Sequence, residues 1–308
     1  MLDRLKSALA LAETLNFHRA AQRLEISQPH LTRIIKSLER DLGVILFERG
    51  THGVSLTPDG ARALQEAALL MNAETLFRQK IEALRSSGAE TLRIAAGAFI
   101  AQSWAGAAMA AMKAAEPALS ISLRELDWWK LSEAVQSGEV DLAIGELSEA
   151  NKIPELAKEL FPEREGSIIV RADHPLADLK QVTLEELARF PLVGPRLPGR
   201  IAQLLPPVCG FGALSEDGRF FIPVIECATP RSMLDVVLAS DAICMIWPEY
   251  CSEALKSGAL CELAFHPPWL RVGQGIMYRR AQPLGSAATA FCVAARHAEQ
   301  AYFQSRLP

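Results

Sequence analysis

Residues Asn16–Asp59 read NFHRAAQRLEISQPHLTRIIKSLERDLGVILFERGTHGVSLTPD, and the reading of this stretch decides the rest. Two short helical patterns flank Glu25-Ile26-Ser27. In the first, Ala20, Ala21 and Leu24 make a small apolar stripe at spacing three to four. In the second, Leu31, Ile34, Ile35 and Leu38 repeat the stripe, leaving His30, Thr32, Arg33 and Lys36 on the opposite side. Ser27 is placed to cap the second helix. Pro29 falls in its first turn, where a missing N–H costs little. The small side chains of Ala20 and Ala21 allow two helices to cross closely, as a helix-turn-helix requires.

Beyond that helix, Ile45-Leu46-Phe47 and Val54-Ser55-Leu56 have strand character. Between them, Arg49-Gly50-Thr51-His52-Gly53 supplies the glycines and polar residues of a hairpin tip. A helix-turn-helix followed at once by a hairpin wing is an arrangement for holding duplex DNA. Upstream, Leu2, Leu5, Leu9, Ala12 and Leu15 form a supporting helix stripe, and Asn16 offers a cap for the helix that follows.

The order and spacing of Phe17, Ala20-Ala21, Leu24, Ser27-Gln28-Pro29, Leu38-Glu39, Leu42-Gly43, Leu46-Phe47, Arg49, Leu56-Thr57 and Gly60 resemble those of LysR-type transcriptional regulators. The resemblance implies a DNA-binding set of Ser27, Gln28, Pro29, His30, Thr32, Arg33, Lys36, Arg49 and His52. Gln28 can pair with an adenine edge and Arg33 with a guanine; Pro29 and Thr32 can meet a thymine methyl. Ser27, Lys36 and the helix N-terminus suit phosphate, and which contacts go to bases stays open. Two departures stand out. His30 occupies a position where the family commonly has a small apolar residue. At the wing tip, where the family often has a basic side chain, the nearest candidate is His52, mostly neutral at pH 7.

At 308 residues the chain exceeds one ordinary core. Its net charge of −4 excludes a globally basic nucleic-acid binder. Residues 1–60 carry eight basic and seven acidic side chains, +1, leaving −5 for the remainder. So weak a bias suggests poor binding by one copy, with affinity coming from two copies on two half-sites. The six cysteines (Cys209, Cys227, Cys244, Cys251, Cys261 and Cys292) show no zinc or C-x-x-C spacing. They read as reduced, mostly buried thiols, with a redox pair as the alternative. No secretory signal opens the chain, since Asp3, Arg4 and Lys6 begin an amphipathic helix. The uncharged run Ala95–Met112 is long enough to span a membrane, but it is mostly alanine and glycine with Gln102 and Ser103 at its middle. It reads as strand, loop and helix of a soluble, cytoplasmic protein.

Thr57-Pro58-Asp59-Gly60 starts a long helix, capped by Thr57, running to about Arg85 and ending at Ser86-Ser87-Gly88. Its broken seam of Leu64, Ala68, Met71, Phe77, Ile81 and Leu84 needs a partner. The resemblance implies a twin helix in a dimer; packing back on its own chain is the alternative. From Thr91 the pattern alternates. Leu92–Ala95, Leu119–Leu123 and Gly138–Gly145 are strands, with helices near 104–115 and 131–137 between them. That order implies a mostly parallel sheet with helices on its faces. Ser167–Val170, Pro191–Val193, Phe220–Glu226, a helix at 232–239 and Ala242–Ile246 form a second unit. Gly275–Tyr278 and a last helix near 284–303 return to the first.

The expected organisation is therefore a winged helix-turn-helix over 1–58 and a linker helix over 59–88. The part over 89–308 resembles the two-lobed α/β effector domain of the same regulators, itself akin to periplasmic binding proteins, which implies lobe I at about 89–163 and 267–303 and lobe II at about 164–266. Ligands in such sheets sit beyond the carboxyl ends of the strands. Four loops qualify: Ala98–Trp104, Asp127-Trp128-Trp129, Gly194–Arg200 and Ala228-Thr229-Pro230. They make Gln102, Ser103, Trp128, Trp129, Arg196 and Thr229 the effector candidates. The family often places hydroxyl side chains in the first loop for an effector carboxylate. Here Ala98-Phe99-Ile100-Ala101 stands there, so the anion-binding role shifts to Gln102 and Ser103 or is absent. Trp128 and Trp129 are an aromatic wall or simply core; Arg196 and Arg200 meet an acidic ligand or only solvent. A small, partly apolar or aromatic effector is the expectation.

His18, His30, His52, His174, His266 and His297 lack metal spacing, and no nucleophile elbow, dinucleotide fingerprint or P-loop occurs. No catalytic residue, metal or cofactor is expected. The partners that the resemblance implies are promoter DNA with an interrupted inverted repeat, a small-molecule effector, further copies of the chain in a homodimer or homotetramer, and RNA polymerase as a further candidate. The alternative keeps the DNA binding and gives the C-terminal lobes to oligomerisation alone.

Overall fold

The computed structural model describes residues 1–50, 53–85, 91–208 and 210–306, except the side chains at 49, 50, 53, 69, 72, 75, 76, 79, 80 and 82–85. Two compact units make up the chain: Met1–Gly88 with Gln136–Glu139, and Ala89–Val135 with Val140–Pro308. The expectations for Thr51, His52, Cys209, the Arg49 side chain and the helix end at Ser86-Ser87-Gly88 lie outside the described residues.

The first unit opens with helices α1 (Leu2–Thr14), α2 (Phe17–Arg23) and α3 (Gln28–Leu42). Strands β1 (Phe47–Gly50) and β2 (Gly53–Leu56) and helix α4 (Pro58–Arg85) follow. Its starts and stops follow local chemistry. Asn16 Oδ1 accepts the N–H groups of His18 and Arg19 at 2.9 and 3.1 Å, and Ser27 Oγ accepts that of His30 at 3.3 Å. Gly43, at φ 69°, closes α3 in the left-handed conformation. Leu5, Leu11, Phe17, Leu31, Ile35 and Leu38 interlock beneath the turn.

Two expectations change here. Ile45 and Leu46 are not strand: pairing begins at Phe47↔Leu56. The backbone just before it is committed elsewhere, because Glu39 Oε1 accepts the N–H groups of Leu46 and Phe47, and Thr57 bonds the carbonyls of Ile45 and Leu46. The seam of α4 is also divided. Leu64 and Met71, with Ala67, pack into the first unit's own core, whereas Phe77 and Ile81 are exposed.

The second unit starts with β3 (Thr91–Ala96), α5 (Ala98–Ala101), α6 (Ala105–Ala115), β4 (Ser120–Glu125), α7 (Leu131–Gln136), β5 (Leu142–Glu146) and β6 (Leu156–Leu160). The chain crosses through β7 (Arg164–Glu165) into β8 (Ser167–Arg171), α8 (Leu184–Leu187), β9 (Leu192–Gly194), β10 (Leu197–Pro198) and α9 (Gly199–Ala202). Then come β11 (Gly212–Leu214), β12 (Phe220–Pro223), β13 (Ile225–Glu226), α10 (Pro230–Ala239), β14 (Ile243–Ile246), α11 (Ser252–Lys256) and β15 (Leu260–Glu262). It returns through β16 (Arg271–Val272) to β17 (Gln274–Arg279) and α12 (Ser286–Gln304).

The two five-stranded sheets share one design, in the orders β4-β3-β5-β17-β6 and β13-β9-β14-β8-β15. Four strands of each run one way; the fourth in order, β17 or β8, is antiparallel to both neighbours. Those reversed strands are the ones entered straight from the crossings, where β7 and β16 pair. The central strands of each sheet are buried on both faces, so β5 is buried throughout and reads as an apolar run over Leu142–Gly145 before Glu146.

Within this frame the expected loop 98–104 contains the short helix α5. The expected strand 220–226 is two strands, β12 in a three-stranded antiparallel sheet and β13 beside β9. The sequence signals neither β6, where Lys158-Glu159 interrupts the apolar alternation, nor α5, whose four residues are too few to show a period. The uncharged run 95–112 is divided among β3, α5 and α6, and among the described residues no helix is long and apolar enough to cross a membrane.

Candidate functional site

Two surfaces carry the candidate chemistry, one on each unit. On the first, the core side of α3 is taken by Leu31, Ile35 and Leu38, which leaves Gln28, Pro29, His30, Arg33 and Lys36 exposed at its N-terminal end and outer face; Thr32 is half-buried. Of the other basic side chains here, Arg4 is paired with Asp41 and Arg23 with Glu13. Arg33 and Lys36 form no ion pair with any described residue and remain available for an anion. The N-terminus of α3 adds its own positive end, with Ser27 satisfying only one of the free N–H groups. The arrangement presents donors and a bidentate guanidinium on one helix narrow enough for a major groove.

The hairpin wing follows from this helix. Glu39, on α3, fixes its entry through the N–H groups of Leu46 and Phe47. Gly60 fixes its exit: a Cβ there would lie 2.2 Å from the Leu46 carbonyl oxygen, so only glycine lets α4 start so close.

On the second unit, a cleft of about 420 Å³ opens beyond the carboxyl ends of β3, β4 and β5 in one lobe and of β9, β13 and β14 in the other. Trp128 and Trp129 form one wall. Their rings meet edge-on at 5.7 Å and both pack on Phe220 of the opposite lobe. The Trp128 indole N–H donates to the Arg196 carbonyl at 2.9 Å, and the Arg196 guanidinium lies 5.1 Å from the Trp129 ring centre. Phe99 and Tyr250 contribute an edge-to-face pair at 5.2 Å, with Trp247 stacked on Tyr250. Burial drives the Tyr250 hydroxyl well above its usual range, so it stays neutral.

The ionic groups of the cleft are largely spent on one another. Arg196 Nε bonds Glu226 at 2.7 Å, and Lys130 pairs with Asp127 at 2.9 Å. Glu125 accepts from the Gln102 amide at 3.1 Å. Glu146, at the last position of β5, is 9 % exposed and accepts from the Ser148 N–H at 2.8 Å and from the Ser148 hydroxyl. The Arg200 guanidinium stands 3.9 Å from it, too far for a hydrogen bond. Burial raises the Glu146 carboxyl above the usual carboxylate range despite Ser148 and Arg200.

The structure thus brings Trp128, Trp129 and Arg196 to the cleft, but not the other three effector candidates. Gln102 is exposed and turned to Glu125; the Ser103 hydroxyl is used by the Phe99 carbonyl one helical turn back, at 2.6 Å. Thr229 caps α10 by accepting the Ser232 N–H at 3.3 Å, leaving Ala228 to line the cleft. Sequence reasoning missed Glu146, Trp247 and Tyr250. For Glu146 and Trp247 the available signal was their place directly after the apolar runs Leu142–Gly145 and Ile243–Ile246, where strands deliver side chains to a cleft; Tyr250, four residues past the second run, carried no such signal.

Among the described residues no His, Cys, Asp and Glu group could hold a metal ion. The described cysteines are free, and burial pushes the Cys251 and Cys292 thiols up to about 12 and that of Cys244 higher, far from thiolate reactivity.

Comparison with known proteins covers both surfaces. Residues 2–61 match the model for bacterial regulatory helix-turn-helix proteins of the lysR family, and residues 85–299 match that for the LysR substrate binding domain. The SDS degradation transcriptional activation protein of a Pseudomonas species is 31% identical over 296 residues, covering 94% of this chain and 93% of its own. Among solved structures, the LysR family regulator CbnR aligns with a TM-score of 0.55 at 17% identity, covering 97% of this chain and 99% of CbnR. OxyR from Corynebacterium glutamicum, in a hydrogen-peroxide-bound variant, aligns at 0.53 and 21%, covering 99% and 96%. At these identities the two structures share the fold.

Proposed function

The chain belongs to the LysR family and is a DNA-binding transcriptional regulator with a substrate-binding domain, and from that premise we propose how its two surfaces divide the work. The exposed face of α3 enters the major groove. There Gln28 and Arg33 read base edges, and Ser27, Lys36 and the helix N-terminus hold phosphates. Pro29, His30 and Thr32 border the same bases, and Arg49 and His52 of the wing face the backbone and minor groove. The observation that carries this reading is the solvent-facing Arg33 and Lys36, with no ion pair to any described residue, on a helix whose other side buries Leu31, Ile35 and Leu38.

With so small a positive excess in the first sixty residues, one copy binds weakly, and two copies act together on an interrupted inverted repeat. The exposed Phe77 and Ile81 on α4 supply the apolar contact between copies, in a dimer or a tetramer. The cleft takes a small effector with a substantial hydrocarbon part, which the aromatic walls and the pairing of the lining cations Lys130 and Arg196 with carboxylates favour. The Pseudomonas relative is named for SDS degradation, and SDS is an alkyl amphiphile; the apolar cleft here suits a ligand with such a body. The protein acts in the cytoplasm without catalysing a reaction, and RNA polymerase is its further partner at the promoter.

Recovering genomic fragments bound by the purified protein tests the first half: one enriched inverted repeat, with affinity falling steeply as salt rises, is expected. Fragments no better bound than random competitor would end this reading. Footprints on that repeat with and without effector candidates test the second half; a footprint that never changes favours lobes used for oligomerisation alone.

A further inference from the structure

Resting on the reading of the cleft as the effector site, the charges inside it narrow the ligand. Six ionic side chains line the cavity, and four of them are carboxylates. Its two cations already have partners: Lys130 with Asp127, Arg196 with Glu226 and the Trp129 ring. An anionic ligand would have to displace one of these carboxylates. Two acids accept no hydrogen bond from a cation: Glu125, bonded to a neutral amide, and Glu146, bonded to Ser148 and held in only a long ion pair with Arg200. Glu146 is the decisive one. It is nearly buried at the end of the central strand of its sheet, and the nearest guanidinium, Arg200, stops 3.9 Å away, short of a bond. A carboxylate removed from water without a directly bonded cation is costly and favours any positive group that reaches it. The same cavity is lined by the aromatic side chains Phe99, Trp128, Trp129, Trp247 and Tyr250.

We infer that the cleft selects a ligand with an alkyl or aromatic body and a positively charged amino group seated against Glu146, and that it rejects the anionic counterpart of the same body. A hydrocarbon body fills the apolar walls; the ammonium satisfies the carboxylate that the protein itself leaves without a bonded cation. The Gln102 and Ser103 side chains, which would have been the donors for an anion, are held by Glu125 and the Phe99 carbonyl instead.

Isothermal titration of the full-length chain with two matched series tests this: hexylamine, hexanol and hexyl sulfate, then 2-phenylethylamine, 2-phenylethanol and phenylacetate. In both, the amine is expected to bind at least about tenfold tighter than the alcohol, and the anion more weakly than either. Glu146→Gln should bring the amine to within about threefold of the alcohol. An anion that binds as tightly as the amine overturns the charge assignment and leaves the cleft as an effector site. The charge assignment is overturned equally if Glu146→Gln, folded by circular dichroism, keeps the amine preference. Should that variant not fold, the ranking within each wild-type series still decides. If none of the six compounds binds at about 10 mM, both the charge assignment and the effector reading of the cleft fall.

Discussion

The recognition helix and the effector cleft are built in opposite ways. Every candidate residue of the DNA-binding face from Ser27 to Lys36 lies within ten consecutive positions, displayed by one helix whose back is buried. The cleft gathers Phe99, Trp128, Glu146, Arg196 and Trp247 from strand ends up to about 150 residues apart, across two sheets. The first surface therefore depends on a helix being present and capped. The second depends on two lobes being held in register by contacts such as Trp128 to the Arg196 carbonyl and Arg219 to Glu149. Damage to one should leave the other intact, and that independence can be attacked directly.

The largest effect is expected from Gln28→Ala combined with Arg33→Ala. Each lost bidentate contact costs about 1–3 kcal/mol of discrimination, so preference for the cognate repeat over random duplex should drop at least about thirtyfold in competition binding. Ligand titrations of the cleft should not move; a shift in them would break the comparison. Gly60→Ala comes next. The added methyl collides with backbone rather than a flexible side chain, so about 1–3 kcal/mol of the first unit's stability should go, seen as faster hydrogen exchange in α3 with exchange in β14 unchanged.

His174 tests the second unit from within. Its Nδ1 accepts the Leu176 N–H at 3.1 Å and its Nε2 faces the Asp241 carbonyl at 3.2 Å, so the ring is neutral with the proton on Nε2. Burial lowers its pKa below the usual value. A lowered value means its contribution is complete above about pH 6.5 and is lost as pH falls through the folded-state value. Denaturant midpoints followed by tryptophan fluorescence should fall on going from neutral to mildly acid pH. His174→Ala should flatten that dependence and cost about 1–3 kcal/mol at neutral pH. The smallest expected effect is Asn16→Ala, about 1 kcal/mol from one lost helix cap, read as a lower thermal midpoint for the first unit.

Legibility followed the same division. The caps at Asn16, Ser27 and Thr57 and the apolar stripe of α3 were all readable, since each is a signal carried by neighbours in the chain. The start of the wing was misplaced by two residues because Glu39 and Thr57 claim the backbone of Ile45 and Leu46 from outside the strand. Gln102, Ser103 and Thr229 had suitable groups in suitable loops, yet their oxygens and amide were taken by local partners.

What the chain determined unaided is the helix-turn-helix and the alternation of strands and helices, because helix caps and apolar periods act over three or four residues. Which side chains face the cleft, and that its carboxylates outnumber its cations, was decided only by tertiary structure. Two sheets of equal strand order bring distant strand ends together, and hydrogen bonds across that space settle which polar groups are spent and which remain.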